Sequence, residues 1–150
     1  MGVISDTHGL LRPQALAALQ GSDLIIHAGD IGKREVLDGL SALAPVHAVR
    51  GNNDRDDWGL TLPLTEVVEL GDLCVYLLHD IADLDIDPAA AGMAAVITGH
   101  SHKPVAEHRD GVLFLNPGSA GPRRFKLPIS VARLGIVAGR LEAEIVELEV

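Results

Sequence analysis

The chain has 150 residues, 47% of them apolar and only 3% aromatic, with a formal net charge of −9. That is enough apolar material for one domain, residues 1–150, with an aliphatic core, and it excludes a disordered chain. The charge excludes a protein that coats nucleic acid through bulk electrostatics, although bound metal ions would reverse the sign locally and admit a phosphate ester. No apolar run approaches the roughly 18 residues of a membrane-spanning helix. No basic region precedes an apolar one at the N-terminus, so no signal peptide is expected. The single cysteine, Cys74, reads as a small buried hydrophobe, and a cytoplasmic location is expected.

The first half alternates strand and helix. Val3 to Ser5 reads as a short buried strand. Pro13 to Gln20 reads as a helix, with proline at its first position and Gly21 ending it. Leu24-Ile25-Ile26 is an unbroken apolar run, as in a strand covered on both faces. Lys33 to Leu43 is a helix with Val36, Leu37, Leu40 and Leu43 on one face, stopped by Ala44-Pro45, and Val46 to Val49 is a third strand. This order implies right-handed crossovers and a parallel sheet, whose ligands bind at the carboxyl ends of its strands.

The second half is richer in hairpins. Thr65–Leu70 and Leu73–Leu78 flank the turn Gly71-Asp72, and Val105–Arg109 and Val112–Leu115 flank Asp110-Gly111. Between them a short helix is expected from Asp87-Pro88 to Gly92, then a buried strand from Ala94 to Thr98. Ile129–Val137 and Leu141–Val150 flank Ala138-Gly139-Arg140. The last strand alternates Leu141, Ala143, Ile145 and then shifts phase to Val146, Leu148, Val150, so a bulge is expected near Ile145 and Val146. The pattern suggests two stacked sheets with helices outside.

Metal-grade side chains stand where the apolar runs stop: Asp6 and His8, Asp30, Asn52, His79, and His100 and His102. Two ions with four protein ligands each need eight contacts, and seven side chains supply them if one carboxylate bridges. Oxygen and imidazole without thiolate suit Mn²⁺, Ni²⁺, Zn²⁺, Fe or Co²⁺ rather than a structural zinc. Each residue alone has a structural reading as a turn or a satisfied polar group. The set of seven at strand ends does not. His27, His47 and His108 read as core or surface residues.

The blocks Asp6-x-His8, Gly29-Asp30, Gly51-Asn52, His79 and Gly99-His100-Ser101-His102 resemble those of the calcineurin-like metallophosphoesterase superfamily. Asn116-Pro117-Gly118-Ser119 after them looks like its small bacterial and archaeal phosphodiesterase branch. The resemblance implies an α/β fold, a four-layer αββα sandwich of two stacked mixed sheets. It also implies a dinuclear centre, Mn²⁺ being the first choice. One ion would be held by Asp6, His8, Asp30 and His102, the other by Asp30, Asn52, His79 and His100, with Asp30 bridging. The implied activity is hydrolysis of a small phosphodiester by a metal-bridging hydroxide. Two divalent ions, two carboxylates and one hydroxide leave a single positive charge, which matches a diester monoanion.

Two positions depart from the wider pattern. Asn53 stands where many members carry a histidine that protonates the leaving oxygen, and an amide cannot do so at pH 7. Asp80 stands where glycine usually follows the histidine. By position, Asn53 and Asp80 are the candidate catalytic residues, and Asn53, Asn116, Gly118, Ser119 and Arg123 the candidate substrate contacts. The segment Arg123-Arg124-Phe125-Lys126 otherwise reads as a solvated loop or subunit contact, and exposed hairpin edges would permit a homodimer. The rival readings are a phosphomonoesterase and a non-catalytic protein-interaction scaffold of the same fold, as in a retromer subunit. A nuclease is disfavoured by the charge.

Overall fold

The computed structural model describes residues 1–150. The first half folds as β1 (Gly2–Ile4), α1 (Pro13–Leu19), β2 (Ile25–His27), α2 (Arg34–Ser41) and β3 (Val46–Ala48). These three strands are parallel in the order β1-β2-β3. The second half supplies β4 (Thr65–Leu70), β5 (Leu73–Leu78), β6 (Met93–Ile97), β7 (Val105–Arg109), β8 (Val112–Asn116), β9 (Ser130–Val137) and β10 (Arg140–Glu147). Two five-stranded mixed sheets result, ordered β10-β9-β1-β2-β3 and β4-β5-β6-β8-β7. In the second, β5, β6 and β8 are parallel. The carboxyl ends of β1, β2, β3, β5, β6 and β8 therefore meet along one edge of the sandwich, where an α/β sheet places its ligands.

The layer between the sheets is aliphatic, as the composition requires: Val3, Ile26, Val75, Leu77, Ile97, Leu113, Leu115 and Leu134 are all buried there. Both α-helices cover the outer face of the first sheet. Ala15 and Leu19 of α1 and Val36 and Leu40 of α2 pack with Ile4, Ile25 and Val131. Trp58 packs against this cluster too, so it anchors its loop. The outer face of the second sheet is covered more thinly. Leu78, Val96 and Val112 pack with Leu84, which follows a single 3₁₀ turn over Ile81–Asp83.

Four local expectations are corrected. The helix expected from Asp87 to Gly92 is a turn closed by Ala91 N–H to Asp87 O at 2.9 Å, since so few residues cannot offset the cost of nucleating a helix. The bulge expected at Ile145 and Val146 is absent, and β10 pairs with β9 without a break from Arg140↔Val137 to Glu147↔Ser130. The phase shift has another cause: towards its C-terminal end this strand is covered on both faces. Ala143 and Ile145 pack against the inter-sheet core, and Val146 and Leu148 against the helix-side core. The β9–β10 turn is two residues, Ala138 and Gly139, with Arg140 already paired. Cys74 is half-buried rather than buried. The real register shift lies between Cys74 and Val75, against β6.

Edge strand β7 is exposed along its whole length and carries Glu107, His108 and Arg109, a composition that discourages edge-to-edge pairing. His108 Nε2 lies 3.2 Å from the Leu141 carbonyl, and His47 Nδ1 lies 2.8 Å from Glu66 Oε1; neither histidine belongs to the site. No helix is long and apolar enough to cross a membrane.

Candidate metal centre

All seven expected ligands stand on the shared edge. The loop after β1 supplies Asp6 and His8, that after β2 Asp30, that after β3 Asn52, that after β5 His79, and that after β6 His100 and His102. The ligand atoms of Asp6, His8 and His102 lie within 4.8 Å of one another, and so do those of Asp6, Asp30 and His79. Asp6 Oδ1 lies 3.3 Å from His102 Nε2, 3.8 Å from His8 Nε2 and 3.9 Å from His79 Nε2. Asp30 Oδ2 lies 3.3 Å from His79 Nε2 and 3.8 Å from His8 Nε2. Asp6 is thus as well placed as Asp30 to serve two ions. The rings form two pairs, His8 with His102 at 5.5 Å between centroids and His79 with His100 at 5.2 Å. Asn52 and His100 are exposed and outside the tight groups; they meet at the rim, His100 Nδ1 to Asn52 Oδ1 at 3.2 Å.

Backbone strain is concentrated here. Asp6, His8, Asp30, His100 and His102 all have φ between 47° and 70°, in the left-handed region. Each such residue costs roughly 1–3 kcal/mol and persists only where its surroundings over-determine it. The close approach of Gly51 is part of that restraint, because a Cβ there would collide with the Asp30 carboxylate and backbone nitrogen.

Hydrogen bonds leave selected atoms free. Asp6 Oδ2 accepts from Ser5 Oγ at 2.6 Å and His100 N at 3.0 Å, while Asp6 Oδ1 has no partner. His79 donates Nδ1–H to the Ala28 carbonyl at 2.7 Å, which turns its unpartnered Nε2 inward. His8 Nε2 and His102 Nδ1 are likewise buried without partners. Buried polar atoms without partners are rare, and four of them on carboxylate and imidazole ligands fit a bound cation.

The electrostatics agree. Burial opposes ionisation of Asp6 and Asp30, but neighbouring histidines outweigh it: both are held below the usual carboxylate range, Asp30 at about 2 with help from Asn53 N–H. Burial lowers His8 despite the two carboxylates. For His79 burial is overcome by Asp30 and Asp6, and its pKa is raised.

The other expected residues make the following contacts. Asn53 gives its backbone N–H to Asp30 Oδ1 at 2.9 Å and its amide to Oδ2 at 3.1 Å, so it orients that carboxylate. Asp80 caps Ala82 N–H and lies 3.5 Å from His100 Nε2. Asn116, Gly118 and Ser119, the expected substrate contacts, also brace the ligand loops. Asn116 is buried and donates to Gly99 O and Ser101 Oγ while accepting from Gly118 N. Ser119 Oγ donates to Asp6 O at 3.0 Å. Arg123 bonds back to Leu127 O at 3.1 Å.

Asp54 escaped the sequence reading, whereas His27 was read as a core or surface residue and is a core one. Buried Asp54 accepts from Ile31 N, Gly32 N and Gly51 N at 2.9–3.2 Å, clamping the Asp30 loop to the Asn52 loop. An Asp three residues after Gly51 signals a turn, not this cross-loop clamp. His27 is fully buried between Gly29 N–H and Thr7 Oγ1, and burial lowers its pKa to about 3, so it stays neutral.

A family model described as the calcineurin-like phosphoesterase superfamily domain matches residues 1–139. A probable metallophosphoesterase of Methanocaldococcus jannaschii is 36% identical over 162 residues, covering 99% of this chain and 81% of that one. A structure described as a novel archaeal phosphodiesterase superposes with a TM-score of 0.80 at 25% identity, covering 97% of this chain and 98% of that one. Wild-type Vps29 from Entamoeba histolytica, complexed with Zn²⁺, superposes with a TM-score of 0.72 at 28% identity over 98% of this chain and 99% of its own.

Proposed function

The chain belongs to the calcineurin-like phosphoesterase superfamily, and on that premise we propose that it is a phosphodiesterase dependent on two divalent metal ions. The observation that carries this reading is the set of buried, unpartnered atoms on Asp6, His8, His79 and His102. Asp6, His8, Asp30 and His102 would hold one ion and Asp30, Asn52, His79 and His100 the other. Mn²⁺ is the ion we name first, for a site of oxygen and imidazole without thiolate. Bound ions supply Lewis-acid charge for the phosphate oxygens and bring the pKa of a water towards neutrality.

The chain's own residues prepare the centre. Ser5 and His100 N–H fix Asp6 so that Oδ1 faces inward, Ala28 O sets the His79 tautomer, and Asn53 fixes both oxygens of Asp30. Asn53 carries no acidic proton, so on this reading the leaving group departs without protonation from that position. Preference for a diester over a monoester is supported by the charge balance and by the likeness to an archaeal phosphodiesterase.

The likeness to Vps29 favours a second reading, a metal-binding scaffold without activity. Hydrolysis of bis-p-nitrophenyl phosphate by metal-stripped protein, with Mn²⁺, Ni²⁺, Zn²⁺ or Mg²⁺ restored, separates the two. Turnover that needs metal and disappears in Asp30→Ala and His79→Ala supports the enzyme. Two ions bound with no turnover would leave the scaffold. Equal activity on p-nitrophenyl phosphate would refute the diester preference.

A further inference from the structure

The segment Pro122–Leu127 is not used by the metal centre, yet it adjoins it. Phe125 is one of two phenylalanines in the chain and is 92% exposed. Its φ of 54° is left-handed. The other non-glycine residues in that region are the five metal-site residues and Asp110 and Ala138 of hairpin turns. Phe125 and Lys126 form a turn closed by Leu127 N–H to Arg124 O at 3.2 Å, and that turn holds the apolar ring outward into solvent.

Phe125 lines a groove of about 540 Å³ with Ser101, Lys103, Lys126 and Leu127. Ser101 lies between His100 and His102, so the groove opens from the ligand loop itself. In a chain of net charge −9, Lys103, Arg124 and Lys126 form no ion pair; the basic side chains that do are Arg109, Arg140 and histidines. The opposite flank has the reverse character. A cavity of about 420 Å³ beside Asn52 and His79 is lined by Asp80, Asp83 and Asp85, with Arg50 its one cation. The cationic and aromatic side chains thus gather on the Phe125 side and the carboxylates on the other.

We propose that this groove is a nucleotide subsite: the ring of Phe125 stacks on a nucleobase while Lys103 and Lys126 take the adjoining negative charge, so that the substrate is a small phosphodiester of a nucleoside. The proposal deepens the phosphodiesterase reading and rests on it for its catalytic test. Stacking on an aromatic side chain suits any base because every base has a π-face. The groove has a single aromatic platform and the chain is acidic, which fits a mononucleoside ester rather than a strand.

The test compares kcat/KM for thymidine 5′-p-nitrophenyl phosphate and methyl p-nitrophenyl phosphate in the Mn²⁺-loaded protein. Loss of one base–aromatic stack is expected to change affinity about tenfold. The wild-type chain should prefer the nucleoside ester by that order. Phe125→Ala should lose the preference through KM, and Phe125→Trp should restore it. A wild-type preference near one, or a preference untouched by Phe125→Ala, overturns the subsite. Turnover of the methyl ester alone upholds the phosphodiesterase reading while refuting the subsite. If neither ester is cleaved, the phosphodiesterase reading falls, and calorimetric binding of adenosine monophosphate decides the groove by itself. Binding weakened about tenfold in Phe125→Ala supports it, and no binding, or equal binding by both proteins, refutes it.

Discussion

Replacing Asp54 by Asn tests whether the site is held by its braces. The carboxylate takes three backbone N–H groups from two loops: Gly51 N at 2.9 Å, Ile31 N at 3.0 Å and Gly32 N at 3.1 Å. Asparagine keeps the shape but offers one acceptor oxygen, and its NH₂ must face at least one of those donors. A bond to a charged acceptor contributes roughly 1.5–3 kcal/mol, and a buried donor left unmatched costs roughly 1–3 kcal/mol. The expected loss is therefore about 2–4 kcal/mol in the metal-free protein. For a domain of this size that lowers Tm by roughly 5–12 °C. Urea unfolding followed by circular dichroism measures it, provided the m-value is unchanged. Mn²⁺ affinity should weaken in parallel, because the clamped loops carry Asp30 and Asn52. A stability within about 0.5 kcal/mol of the wild type, the ordinary scatter of a surface substitution, would refute the clamp.

Three further outcomes follow from the geometry. Gly51→Ala places a Cβ against the Asp30 carboxylate, so calorimetric Mn²⁺ affinity should fall by about 1.4 kcal/mol or more, tenfold in Kd; unchanged affinity would show that the contact is relieved elsewhere. His27 has a folded pKa of about 3 and an unfolded one of about 6.5. Between those values the unfolded chain binds the extra proton, so metal-free stability should fall with falling pH by up to about 1.4 kcal/mol per unit. His27→Asn should flatten that slope between about pH 6.5 and 4.5 in urea titrations, and an unaltered slope would mean that other groups set it. Because Asn53 is committed to Asp30 and carries no acidic proton, log kcat across aryl methyl phosphodiesters should fall steeply with leaving-group pKa. A flat series would reveal a general acid elsewhere.

What the amino-acid order determined by itself was the placement of chemistry at strand ends. Short apolar runs such as Leu24-Ile25-Ile26 and Tyr76-Leu77-Leu78 terminate at Asp, Asn or His, and parallel strands bring all such ends to one edge. Covalent order alone carries that much, because strand direction and crossover handedness leave little choice. Tertiary structure decided the rest. The left-handed φ of Asp6, His8, Asp30, His100 and His102 costs energy locally, so no propensity reveals it; the crossing loops impose it. The tasks of Asp54 and Asn116 depend on backbone donors and acceptors brought from distant loops, such as Ile31 N and Gly99 O. The phase shift at Ile145 and Val146 signals two covered faces rather than a bulge, and burial on a second face is known only once the helices are in place. Hydrogen-bond partners and covered faces are long-range facts, and they, rather than the ligand types, settle which atoms are left free for a cation.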